Sequence, residues 1–155
     1  MKGIAEILAD QPLFEGMAPE YLDHIAGCAS NVRFRQGEQL FKEGDDADFF
    51  YLVRHGRVGL EIFVPHRGPV TIETVNEGEV LGWSWLFPPY KRQYDARAVV
   101  LTRAVAFDGR CLRSKSEENK EFGYDLMKRF AQVMIDRLHH VRIQMLDIYG
   151  HSAGR

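Results

Sequence analysis

Between residues 30 and 108 the chain leaves a helical hydrophobic period for a two-residue one, and it returns to the helical period afterwards. Val58, Leu60, Ile62 and Val64 interleave with Arg57, Gly59, Glu61 and Phe63, the repeat of a strand whose two faces differ. Further short strand candidates lie at 31–35, 39–42, 48–54, 69–75, 94–100 and 103–107. Turn-forming residues separate them: Gly37, Gly44-Asp45-Asp46, His55-Gly56, Pro65-His66-Arg67-Gly68 and Asn76-Glu77-Gly78. So many short strands imply a sandwich or a closed barrel. One stretch breaks the rhythm: Gly82-Trp83-Ser84-Trp85-Leu86-Phe87-Pro88-Pro89 is too apolar for a solvated loop and too proline-capped for a long strand.

The flanks read as helices. Ile4, Ile7 and Leu8 fall on one face before Pro12 and Gly16 interrupt. A second helix is expected from Pro19, a good first-turn residue because its missing N–H has no intrahelical partner there, with Leu22, Ile25 and Ala26 as its apolar stripe. After a short segment near 109–116, a long helix is expected from Glu117 or Tyr124 to Tyr149, ended by Gly150. Gly123 costs about 1 kcal/mol inside a helix, so a bend or boundary is expected there. Along this helix Met127, Ala131, Met134, Leu138, Val141, Met145 and Ile148 recur with alternating gaps of four and three, the seam of a coiled coil. A second row, Phe122, Leu126, Phe130 and Val133, is placed to pack back onto the strands. One helix with two apolar rows can touch its own domain and a partner together, so a homodimer through the seam is expected.

The 155 residues fit one domain, and 45% hydrophobic with 27% charged residues suits a globular chain. A net charge of -2 supplies no basic field for nucleic acid. Cys28 and Cys111 lie far apart and form no CxxC, so two buried thiols in a reducing compartment are expected, with a bond between them left open. Glu6 falls where a signal peptide would be apolar, and no run approaches the roughly 18 apolar residues of a membrane helix; a cytoplasmic protein without a membrane partner is expected. His55 and His66 fall in turns, His139 and His140 point to different faces, and no HxH, GxSxG or P-loop pattern occurs. Neither a metal site nor catalysis is expected.

Leu40-Phe41-Lys42-Glu43-Gly44-Asp45, followed by Phe49-Phe50-Tyr51-Leu52-Val53-Arg54-His55-Gly56-Arg57-Val58, resembles the opening strands of the cyclic nucleotide-binding domain family. Gly78-Glu79-Val80-Leu81-Gly82-Trp83 through Arg92-Gln93-Tyr94-Asp95-Ala96-Arg97-Ala98 resembles that family's phosphate-binding cassette. The resemblance implies a mainly β fold with flanking helices: an eight-stranded antiparallel double-stranded β-helix (jelly-roll barrel) over 30–108, N-terminal helices over 1–29, a cassette at 78–98 and C-terminal helices over 109–150. It implies a ligand site at Gly82, Trp83, Ser84, Trp85, Arg92, Gln93 and Tyr94. There the free amides of a short helix and the guanidinium of Arg92 would meet the phosphate of cyclic AMP, a related nucleotide or another small anion. No further cofactor is implied. Trp83 stands where the family has a ribose-binding glutamate, and Gln93 and Tyr94 replace small residues, so either the pocket takes a different ligand or these rings fill it. The family's helix-turn-helix regulators place a DNA-reading domain after the dimer helix; this chain stops near Gly150, so no direct contact with nucleic acid is expected.

Overall fold

A computed structural model describes residues 3–153, with side chains as far as residue 147. Two short helices come first, α1 (Ile4–Ala9) and α2 (Pro19–Ala26), joined through a 3-10 turn at Pro12–Phe14. Eight strands follow: β1 (Ala29–Phe34), β2 (Gln39–Phe41), β3 (Phe49–His55), β4 (Val58–Val64), β5 (Gly68–Val75), β6 (Val80–Leu81), β7 (Asp95–Ala98) and β8 (Thr102–Asp108). Two helices close the chain, α3 (Gly109–Glu118) and α4 (Lys120–Ala153). The strands form two antiparallel four-stranded sheets, ordered β1-β8-β3-β6 and β2-β7-β4-β5, which is the jelly roll expected from the resemblance.

Within the first sheet the central residues of β3 and β8 are buried on both faces, and their period of two sorts side chains between two cores. Phe50 and Leu52 of β3, with Val105 and Phe107 of β8, face the helices. Tyr51 and Val53, with Ala104 and Ala106, face the barrel interior. This double duty explains why β3 reads as a continuous apolar run while β4, whose sheet covers one core, alternates over Val58 and Leu60.

Beyond the helices, the outer face of the first sheet is charged. Arg33 of β1 lies directly opposite Arg103 of β8, which pairs with His55 of β3 on its other side. Arg54 lines the same shallow depression, and among the described residues no acid pairs with these three arginines. Like charges directly opposite on neighbouring strands are destabilising. Arg103→Thr is therefore expected to raise stability by about 0.2–1 kcal/mol in urea denaturation; a loss would show that Arg103 has a stabilising role that its position does not reveal.

The helical boundary falls at Asn119 and not at Gly123. The Asn119 carboxamide Oδ1 accepts from Phe122 N–H at 3.1 Å, capping α4, and the helix runs unbroken through Gly123. The glycine serves packing instead: a Cβ there would lie 2.9 Å from the Ser116 carbonyl oxygen, so only glycine lets α4 approach α3 this closely.

The two thiols expected at Cys28 and Cys111 are joined in a disulfide, with Cα atoms 5.7 Å apart. The cause is strand register. Ala29 pairs with Phe107 across β1 and β8, and the Cys28 carbonyl accepts from Asp108 N–H at 2.8 Å. Cys28 is thereby held beside the first turn of α3, where Cys111 stands, within bridging distance.

Candidate functional site

The cassette opens at β6, paired to β3 through Tyr51 and Leu81. Gly82 then takes a left-handed conformation (φ 92°), and the chain turns through a single 3-10 turn, Trp83–Trp85. The short helix implied by the resemblance is reduced to this turn. Glycine is required at 82 for space as well as φ, because a Cβ would lie 2.8 Å from Arg92 Nη1.

Arg92 is buried, with 5% of its surface exposed. Its Nη1 donates to the Gly82 carbonyl at 3.3 Å and its Nη2 to the Phe49 carbonyl, while the guanidinium carbon sits 4.0 Å above the Phe41 ring. Burial pulls its pKa down from the usual arginine value. The guanidinium thus rivets the cassette to the start of β3 and does not line the neighbouring cavity. Tyr94, two residues on, shares the inward face of this segment with Arg92. Burial, then the Glu73 carboxylate, push its phenol pKa up, against smaller opposing pulls from Arg92, Arg137 and the Gly82 amide.

A cavity of about 290 Å³ lies between the barrel mouth and α4. Leu60, Val75 and Leu81 form its floor, Trp83 and Tyr94 its wall, and Val133, Met134, Leu138 and Val141 its roof. Arg137 of α4 lies at its edge and fastens the roof: Nη1 pairs with Glu73 of β5, and Nη2 with Glu79, just before β6, at 3.0 Å.

The expected site residues therefore separate. Trp83 and Tyr94 meet at the cavity, with Gly82 and Arg92 directly behind them. Trp85 is turned the other way and fully buried, stacked on Phe50 at 4.7 Å and edge-on to Phe130; its environment is the helix-side core. Gln93, in the bend before β7, is exposed, while Arg92 before it is buried and Tyr94 after it half-buried. Ser84 is half-buried and does not line the cavity.

The seam of α4 divides as well. Met127 packs on the helix-side core, below the buried row Phe122, Leu126 and Phe130. Met134, Leu138 and Val141 cover the cavity, while Ala131 and Met145 are exposed; the side chain of Ile148 lies outside the described residues. Sequence reasoning missed Arg137, Glu73 and Glu79. A signal existed for Glu73: it shares the parity of Val75 in β5, which puts a carboxylate on the inward face.

The Cyclic nucleotide-binding domain model matches residues 31–119, more than half of the chain. A CRP-like cAMP-activated global transcriptional regulator of Mycobacterium tuberculosis is 25% identical over 143 residues, covering 92% of this chain and 62% of the regulator. A cyclic AMP receptor protein of Thermus thermophilus is 34% identical over 97 residues, covering 61% of this chain and 44% of the receptor. The chain thus spans less than two thirds of the length of either. A solved structure from Geobacter metallireducens, described as a candidate cyclic nucleotide-binding protein, superposes with a TM-score of 0.77 at 33% identity, covering 90% of this chain and all of that one. Among the described residues no helix is long and apolar enough to cross a membrane.

Proposed function

This chain belongs to the cyclic nucleotide-binding domain family, and from that premise we propose that it is a non-enzymatic regulatory module that takes a small ligand beneath α4 and signals through that helix. The observation that carries the reading is the composition of the cavity wall. Its floor is fixed barrel and its roof is α4, clasped by Arg137 to Glu73 and Glu79. An occupant touches both bodies, so its affinity differs between seated and lifted positions of the helix, the condition for shifting that equilibrium.

A nucleotide suits the rings of Trp83 and Tyr94, which offer stacking faces. Two features stand against a cyclic phosphate as the cassette is now set: Arg92 is engaged by two carbonyls, and Tyr94 stands in the cavity wall. Binding would require the phenol to swing aside. Tyr94→Phe, which removes the phenol hydroxyl from the cavity wall and keeps the stacking ring, is expected to strengthen nucleotide binding. The measurement is thermal melting with cyclic AMP and cyclic GMP. At a hundredfold excess over the dissociation constant, a bound nucleotide adds about 2.7 kcal/mol, roughly 5–10 °C for this size. If neither the native chain nor Tyr94→Phe shifts with either nucleotide, the nucleotide reading fails.

The engaged guanidinium of Arg92 also favours a second reading, an occluded module acting through its helix alone. Both readings include a homodimer, supported by the exposed apolar surface of α4: Ile135, Leu138, Ile143, Met145 and Leu146 spread around the helix, with Leu138 50% and Leu146 68% exposed. Met145→Glu, outside the cavity, is expected to convert a dimer to a monomer in sedimentation velocity. An unchanged sedimentation coefficient would remove the seam from the account.

A further inference from the structure

We propose that Cys28–Cys111 is a thiol–disulfide exchange site whose redox state sets how firmly the cassette and α4 are held over the cavity. The bond ties the residue just before β1 to the first turn of α3, and α3 is the element through which three parts of the molecule meet. Towards the N-terminal helices, Lys115 Nζ donates to the His24 carbonyl at 2.7 Å. Towards the cassette, Arg113 donates to the Trp85 carbonyl and lies 4.3 Å over the Tyr90 ring. Gly109 is so close to Trp85 that a Cβ would fall 2.9 Å from the indole side chain. Towards α4, Ser116 packs on Gly123, and Asn119 both ends α3 and caps the next helix. A change in the seating of the first turn of α3 is therefore passed to Trp85, and through Phe130 to Trp83 and the helical roof.

The two sulfurs differ in environment. Cys28 is 7% exposed and Cys111 is half-buried, so Cys111 presents the attackable side. A thiolate of a dithiol reductant attacks Cys111 Sγ, forming a mixed disulfide and expelling the Cys28 thiolate. The second reductant thiolate then displaces Cys111, leaving the reductant as a disulfide. Two electrons have passed to the protein, and each cysteine takes up one proton; a disulfide of the same class reverses the step.

The proposal rests on α4 as the output element and not on any ligand, so it is tested without one. Native-state backbone and indole resonances of the full chain are compared before and after treatment with dithiothreitol, at a temperature where both forms are folded. The expected result is reduction without denaturant, with shifts or broadening of the Trp85 and Trp83 indole signals and of α4 amides from 120 to 141. Signals of the outer end of the β4–β5 hairpin, from Phe63 to Pro69, which lines neither the cavity nor the Arg137 clasp, stay in place. Cys111→Ser reproduces the reduced spectrum; if that variant does not fold, the reduced native chain carries the comparison. The proposal is overturned if the bond yields only in denaturant, or if the changes stop within one turn of the two cysteines. Failure of nucleotide binding leaves this measurement unaffected.

Discussion

Reduction of Cys28–Cys111, or its replacement by two serines, is expected to lower the melting temperature by roughly 10–15 °C. The bond closes a segment with a sequence separation of 83. In the chain-entropy account a loop of that length restricts the unfolded chain by about 4.5 kcal/mol at 25 °C, near the upper end for native disulfides. At this chain length each kcal/mol corresponds to about 2–4 °C. The same residues make few other demands: Cys28 contributes its carbonyl to Asp108 N–H, a contact that serine retains. Melting with and without dithiothreitol checks the magnitude, and the double serine variant should coincide with the reduced native chain. A difference below about 1 kcal/mol would mean that the unfolded chain gains little freedom when the bond is absent.

The second large effect is expected at Phe130. Its ring is fully buried and meets Phe50 at 5.5 Å, Trp83 at 5.2 Å and Trp85 at 5.9 Å, all three edge-on. It is the point where α4 grips both the cassette and β3. Phe130→Ala is expected to cost about 3–5 kcal/mol, the transfer energy of the ring plus the void it leaves. The loss should be read by urea denaturation, and Phe130→Leu should lose less because it keeps much of the volume. Trp83 fluorescence in the folded variant should move towards that of solvent-exposed indole, since its edge contact and the roof above it loosen together. A loss under 1 kcal/mol would show that α4 is held chiefly by the Arg137 ion pairs.

What the sequence made legible was local. The strand at β4, the glycine-marked turns and the Pro19 helix start depend on neighbours a few residues away, and each appears where the pattern placed it; the inward face expected of β4 ends at Leu60, where a register shift leaves Ile62 exposed. The two faces expected over 92–98 also separated Arg92 and Tyr94 from the exposed Gln93, although the strand itself begins only at Asp95. Features set by remote partners were hidden. Gly123 reads as a helix breaker until Ser116 is known to lie against it, and the cysteines read as thiols until β1–β8 register brings them together. Trp83 and Trp85 could not be told apart because a single 3-10 turn has no period from which to read a direction. Arg92 carried the expected charge at the expected place, but the carbonyls of Gly82 and Phe49 that occupy it come from distant chain segments.

The partition formed by β3 and β8 is one residue thick: Tyr51 and Val53 look into the barrel, while Phe50 and Leu52, from the same few peptide units, look towards the helices. Close-packed interiors yield little under compression. Pressure from an occupant on the barrel side therefore has nowhere to dissipate inside the strand and reappears behind it, at the ring stack of Phe50 with Trp85 and Phe107. Mechanically, the interior of the barrel and the seat of the helices have a common wall, and neither can be reshaped in private.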